Sequence, residues 1–183
     1  MNAPDAADTP PVRWALRAAQ LGATPADPAE CTERLVALWS GGKLANALDP
    51  AALRRLEGYL QYARVGPGKR VIEQDEGGDF MLVVLDGSIL VERLPTVGST
   101  AKLAEARAGD VLGDMALLDA GPRFSTCTTK TACLLGVLET ESLARLMKDD
   151  AHLALVLLAS MARRLSLRLR QVSARLSALL SDT

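Results

Sequence analysis

The sequence is poor in the residues that build metal or covalent chemistry: 183 residues hold one histidine and three cysteines. His152 stands alone in the C-terminal part of the chain, so no polyhistidine metal centre can be assembled, and no Ser–His–Asp or Cys–His arrangement is apparent. Cys31, Cys127 and Cys133 lack both metal-ligand spacing and the even number of a disulfide framework. They read as buried thiols in a reducing compartment. Long hydrophobic runs are missing too, since the longest, Leu153 to Ala159, is far too short to cross a bilayer. No secretory leader is visible, because MNAPDAADTPP is acidic and proline-rich where a basic and then an apolar stretch is needed. The chain also lacks a charge excess. Its formal net charge of −1 argues against bulk nucleic acid or an anionic membrane as partner. These absences point to a cytoplasmic protein that is not an enzyme, carries no metal or cofactor and does not enter a membrane.

What is present is a soluble globular composition, 49% hydrophobic and 23% charged, in a length that suits one domain with appended helices. The first 11 residues read as a disordered tail. Helices are expected over Pro11–Leu21, over Ala29–Ser40 before the stop signal Gly41-Gly42, and from the N-cap Asp49 with Pro50 through Leu60. From Val65 glycine and proline punctuate the chain every 8 to 12 residues or so, with short β-rich runs between them. The runs are Arg70–Gln74, Phe80–Leu85, Ser88–Arg93, Lys102–Arg107, Ser125–Lys130 and Cys133–Leu138. Such spacing predicts a sandwich or barrel, and Asp86-Gly87 reads as a hairpin turn. Helix returns at Glu141–Met147 and continues from Asp149 to about Leu180 without glycine or proline. Its stripe of Leu158, Met161, Leu165, Leu169, Val172, Leu176 and Leu179 is close to a heptad seam and predicts self-association through its second half. Five arginines give the segment from Ala151 onward a net charge of +4, against −5 for the rest.

The segment Gly113–Thr126, GDMALLDAGPRFST, carries the chemistry. Arg123 supplies a planar guanidinium fork suited to a phosphate, and Asp114 is a natural acceptor for a sugar hydroxyl. In context, LAEARAGDVLGDMALLDAGPRFSTCTTKTACLLGVL resembles the phosphate-binding cassette of the cyclic nucleotide-binding domain family, whose usual pattern is G-E-x-A-L-L, a short gap, then P-R-x-A/S-T. DFMLVVLDGSILV is similar to that family's strand–glycine–strand hairpin, and LASMARRL to the helix after the roll in bacterial catabolite activators.

The resemblance implies an α+β fold: a jelly-roll-like cyclic nucleotide-binding β-roll flanked by N-terminal helices and a long C-terminal helix. The expected division is a tail over 1–11, N-terminal helices over 12–62, the roll over 63–139 with its cassette at 113–126, and C-terminal helices over 140–183. The last includes a dimerisation and lid helix over 150–180. The implied ligand is cAMP or cGMP. By resemblance, Arg123 grips the cyclic phosphate, Gly113 lets the backbone approach the ribose, and Asp114 stands where the family has a glutamate bonded to the ribose 2′-hydroxyl. Met115, Ala116 and Leu117 lie on the short cassette helix whose first amides face the anion, and Ser125 is the small residue after arginine-x.

Three positions depart from the family pattern. Asp114 is one methylene shorter than glutamate and reaches the hydroxyl only with a backbone shift or a bridging water. Phe124 either stacks on a purine, narrows the pocket, or faces the interior of the roll. Arg168 falls where the catabolite activators cap adenine; it is either a contact to the base, which shifts preference toward guanine, or a solvated charge beside the seam. The other C-terminal arginines read as a solvated face. The expected partners are a cyclic nucleotide, a second copy of the chain through the C-terminal helix, and an unknown downstream protein. The chain stops at Thr183, leaving no room for a helix-turn-helix, so no direct DNA binding is expected. The alternative is a degenerate, non-binding or cyclic-dinucleotide-binding domain that serves as a dimerisation or interaction module.

Overall fold

The computed structural model describes residues 11–40, 48–94 and 101–181. The expected tail and the Gly41-Gly42 stop lie almost wholly outside them. Two antiparallel sheets form the roll. A five-stranded sheet has the order β1 (Thr24–Pro25), β2 (Gln61–Val65), β9 (Cys133–Glu139), β4 (Phe80–Asp86), β7 (Val111–Leu112). A four-stranded sheet has the order β3 (Arg70–Ile72), β8 (Thr126–Thr129), β5 (Ser88–Arg93), β6 (Ala101–Arg107). Helices α1 (Trp14–Leu21), α2 (Pro28–Ser40) and α3 (Pro50–Arg55) precede the roll, and α4 (Asp114–Asp119) lies in the cassette. Helices α5 (Thr140–Asp149) and α6 (Ala151–Ser181) follow the last strand.

Strand β4 explains why a six-residue apolar run was needed: both of its faces are covered. Phe80, Leu82 and Val84 point between the sheets, where they meet Val71, Ile72, Ile89, Cys127, Leu135 and Val137. Met81, Val83 and Leu85 point outward to a second core made with Leu35 and Trp39 of α2, Leu53 of α3, Leu146 of α5 and Leu157 of α6. Period-two alternation thus serves two cores at once. Truncating a fully buried side chain such as Leu82 to alanine costs about 2–5 kcal/mol.

Several local expectations change. Asp86-Gly87 does not close a hairpin, because β4 pairs with β7 and β9 while β5 pairs with β6 and β8. It is a corner at which the chain passes from one sheet to the other. Gly87 sits there at φ 89°, and a Cβ would come within 2.4 Å of the Ala132 carbonyl. Strand β2 lies where the third helix was expected to fade, and a 3-10 turn over Leu56–Tyr59 separates it from α3. The first helix starts at Trp14, because Val12 stays extended and bridges to Gly78. Strand β3 stops at Ile72, and the chain turns at Asp75 with φ 66°. Asp49 is the N-cap foreseen, accepting from the Ala52 N–H at 2.7 Å. Asp150 breaks α5 from α6 and caps the latter through the Leu153 N–H at 2.9 Å.

Helix α6 has two halves. Leu153, Ala154, Leu157, Ser160 and Met161 are buried on the roll, whereas Leu169, Val172 and Leu176 are exposed. The domain's own core therefore absorbs the start of the expected seam, Met161 fully and Leu158 in part. The side chain of Leu179 lies outside those described. No helix among the described residues is long and apolar enough to cross a membrane.

Candidate functional site

The cassette is built between two glycines with left-handed backbone. Gly109, at φ 95°, ends the turn after β6, and the Asp110 carboxylate braces that turn by accepting from the Arg107 N–H at 2.9 Å. Strand β7 then pairs with β4 (Leu82 with Leu112, Val83 with Val111) and delivers Gly113, at φ 76°, as the N-cap of α4. A Cβ at Gly113 would stand 2.5 Å from Nη1 of Arg123, so the glycine is required by space as well as by dihedral. Helix α4 ends at Ala120, and Gly121-Pro122 returns the chain to Arg123.

Arg123 is only 2% exposed. Its backbone is bracketed by the segment before β4: its N–H donates to Glu76 O at 2.8 Å, and its carbonyl accepts from the Asp75 N–H at 2.8 Å. The side chain turns inward. Nη1 donates to Gly113 O at 3.1 Å and Nη2 to Phe80 O at 2.7 Å, and the guanidinium carbon lies 4.5 Å over the Phe80 ring. Nε has no partner, and among the described residues no carboxylate pairs with this guanidinium. Burial lowers its pKa from the ordinary arginine value, the signature of a cation held out of water.

Asp114 opens α4 and is also 2% exposed. One carboxylate oxygen stands 3.5 Å from Nη1 of Arg168, reaching down from α6, and the other has no partner. One turn earlier on α6, Arg164 donates to Gly109 O at 3.0 Å and lies 4.6 Å over the Trp39 ring. The Trp39 indole N–H donates to the same carbonyl at 3.1 Å. Burial lowers the Arg164 pKa as well. Two positively charged side chains of α6 thus reach the entry and the first helical residue of the cassette. The site can hold an anion at Arg123 and a hydroxyl at Asp114.

The sequence model of the cyclic nucleotide-binding domain matches residues 63–150, from β2 through α5. Those residues belong to the cyclic nucleotide-binding domain family. Among curated relatives, the CRP-like cAMP-activated global transcriptional regulator of Mycobacterium tuberculosis is 27% identical over 118 residues, covering 64% of this chain and 53% of that protein. The cAMP-dependent protein kinase regulatory subunit of Yarrowia lipolytica is 26% identical over 124 residues, covering 68% of this chain and 32% of that protein. The chain therefore spans about half the length of the first relative and about a third of the second. A cyclic nucleotide-binding domain from Methylobacillus flagellatus has the same fold at TM-score 0.77 and 21% identity, covering 88% of both chains. The catabolite activator protein of Thermus thermophilus superposes at TM-score 0.63 and 27% identity, over 75% of this chain and 63% of that one. The two curated relatives are regulatory proteins by name.

The structure gathers Gly113, Asp114 and Arg123 of the matched segment, and Arg168 of α6 beyond it, in one place. Ala116 and Leu117 face inward and seat α4, Leu117 in the core shared with the helices. Met115 turns out, 42% exposed. Phe124 does not face the roll's interior: it is 51% exposed, its ring covered by the Arg93 guanidinium at 4.2 Å, and Arg93 also donates to its carbonyl. Phe124 stands at a bend ahead of β8, where the chain leaves the buried seat of Arg123 for the surface. Ser125 is half-buried, ahead of β8. The solvated face expected for the C-terminal arginines fails at Arg164, which is half-buried. Trp39, Arg164, Phe80 and Gly78 were not singled out for the site. The only local signals were the adjacent arginines of MARRL and the doubled glycine at 77–78. Among the described residues no group of His, Cys, Asp or Glu could hold a metal ion.

Proposed function

We propose that this domain binds a cyclic nucleoside monophosphate, cAMP or cGMP, and acts as a sensor with no catalytic step of its own. The observation that carries the reading is Arg123: a nearly fully buried guanidinium with an unpartnered Nε and, among the described residues, no carboxylate in direct contact with it. A buried cation is costly unless an anion meets it, and a phosphate presented to the fork supplies that anion with two charge-assisted hydrogen bonds. Gly113 holds the backbone close to the guanidinium, and the free oxygen of Asp114 is available to a ribose hydroxyl. A hydroxyl arriving there competes with Arg168 for the carboxylate. Release of Arg168 toward the base gives α6 two arrangements, and the nucleotide's differential affinity for them shifts the population between them. Phe124 and Met115 lie on the outer side of the cassette and are not part of this contact set.

The exposed stripe of Leu169, Val172 and Leu176 supports a homodimer through the second half of α6, which would carry the change of α6 to a downstream partner in the cytoplasm. A second reading, a non-binding dimerisation module, is favoured by one feature: Asp114 and Arg168 already satisfy one another in part. Calorimetric titration of the chain with cAMP, cGMP and cyclic di-GMP, alongside Arg123→Ala, separates the two. Saturable binding of a cyclic monophosphate that the variant loses is the expected result. No heat with any ligand, or undiminished affinity in the variant, sinks the sensor reading.

A further inference from the structure

Arg17 is 5% exposed and comes from α1, ahead of the segment that the family model matches. Its guanidinium contacts Glu73 at 3.2 Å and forms a still closer ion pair with Glu76. Both carboxylates belong to Glu73–Gly78, the segment that also walls the seat of Arg123. Glu76 O and the Asp75 N–H bracket the Arg123 backbone, and Gly78 lies directly against its guanidinium. The chain just ahead of α1 is tied to this segment at a second point, where the Val12 N–H donates to Gly77 O at 3.0 Å. At a third, Trp14 sets its edge on the Phe80 ring, with centroids 5.3 Å apart, and Phe80 lies under the Arg123 guanidinium.

The charges therefore alternate through the wall: Arg17, then Glu73 and Glu76, then Arg123. Glu76 and Arg17 act on the Arg123 charge with opposite sign, the first favouring it and the second opposing it. The carboxylates are occupied by Arg17, and Arg123 is left with carbonyl partners only. Without Arg17, the part-buried Glu76 carboxylate would keep only the Glu73 N–H, 3.1 Å from its Oε1, and no cation, while the buried Arg123 guanidinium would still lack a carboxylate in contact. Attraction between them in a low-dielectric interior is strong.

We propose that Arg17 is a positioning residue for nucleotide binding: by neutralising Glu76 and Glu73 behind the cassette, it keeps the Arg123 guanidinium available to the phosphate. The inference rests on the reading that Arg123 takes the phosphate, and it extends the functional unit to a helix outside the matched segment.

The test is titration of the full chain with cAMP and with cGMP in wild type, Arg17→Met, Arg17→Lys and Glu76→Gln, each checked for folding by thermal unfolding. Arg17→Met is expected to weaken binding by about tenfold. Arg17→Lys, which keeps the charge, stays within about threefold of wild type. Glu76→Gln breaks the same ion pair yet binds at least as tightly as wild type, because it removes the competing carboxylate. A mere brace between α1 and the roll predicts that Arg17→Met and Glu76→Gln weaken binding alike. That outcome, or an unchanged affinity in Arg17→Met, overturns the proposal. Should Arg17→Met fail to fold, Glu76→Gln decides alone: weakened binding there overturns it, and retained binding supports it. Failure of the underlying sensor reading is recognised separately, because wild type then binds neither nucleotide and the proposal falls with it.

Discussion

A single methyl group at Gly78 tests the cassette most sharply. Gly78 does not occupy the left-handed region, so alanine there meets no backbone penalty. Its Cβ, however, would lie well under 3.0 Å from Nε, Cζ and Nη2 of Arg123. All three are at the far end of a flexible side chain, so the guanidinium yields before the strand does. Leaving its seat, Arg123 loses its bonds to Gly113 O and Phe80 O and its stacking on Phe80. Hydrogen bonds of a charged donor are worth about 1.5–3 kcal/mol each, but the displaced cation regains hydration, so we expect a net stability loss of about 1–3 kcal/mol. Binding suffers more. Misplacing the buried cation proposed to meet the phosphate costs about 2–5 kcal/mol, which is roughly 30- to several-thousand-fold in Kd. Urea unfolding and calorimetric titration of Gly78→Ala read the two quantities on one sample. Gly113→Ala is the contrasting control: it adds left-handed strain of about 1–2 kcal/mol and a contact with Phe80 O, 3.2 Å away, that cannot swing aside. It should therefore lose clearly more stability than Gly78→Ala. A Gly78→Ala protein that keeps wild-type affinity would refute the reasoning, since Arg123 would then not need its present seat to bind.

Two further outcomes follow from the geometry. Burial pushes the Cys127 thiol from 9.0 up to about 11. The unfolded chain therefore releases this proton first, and stability present below pH 9 declines as pH rises toward 11, by about 2–3 kcal/mol. Urea unfolding at pH 8 and 10.5 should show a larger loss in wild type than in Cys127→Ala, which keeps the raised thiols of Cys31 and Cys133; equal pH dependence in both would count against it. Helix α6 should lose its self-association in Leu169→Glu/Leu176→Glu, with sedimentation velocity reporting a dimer in wild type and a monomer in the variant. A monomeric wild type removes the seam from the account.

Much of the cassette was legible because its constraints are local. Gly113 is set by its own dihedral, the Asp49 cap by a reach of three residues, and the strands by glycine and proline punctuation between short β-rich runs, so motif and spacing carry them. The Asp86-Gly87 corner was misread for the converse reason. A tight turn between apolar runs looks the same whether the runs pair with each other or go to different sheets, and only the competition for partners β9 and β8 separates the cases. Arg163 and Arg164 are neighbours of one type in the sequence. A helix turns about 100° per residue, so one faces solvent and the other stacks on Trp39.

The sequence by itself pointed to the family of residues 63–150, to the β-roll with its flanking helices, and to the residue types of the candidate site, because each is written in short-range pattern. The tertiary structure decided where those charges point. It turned Arg123 inward onto two carbonyls and Phe124 outward, brought Arg168 down to Asp114, and set Arg17 of the first helix behind the cassette. The ion pairs of Arg17 span 56 and 59 residues. Which faces meet over such separations depends on how all the elements share two cores, and no local spacing encodes it.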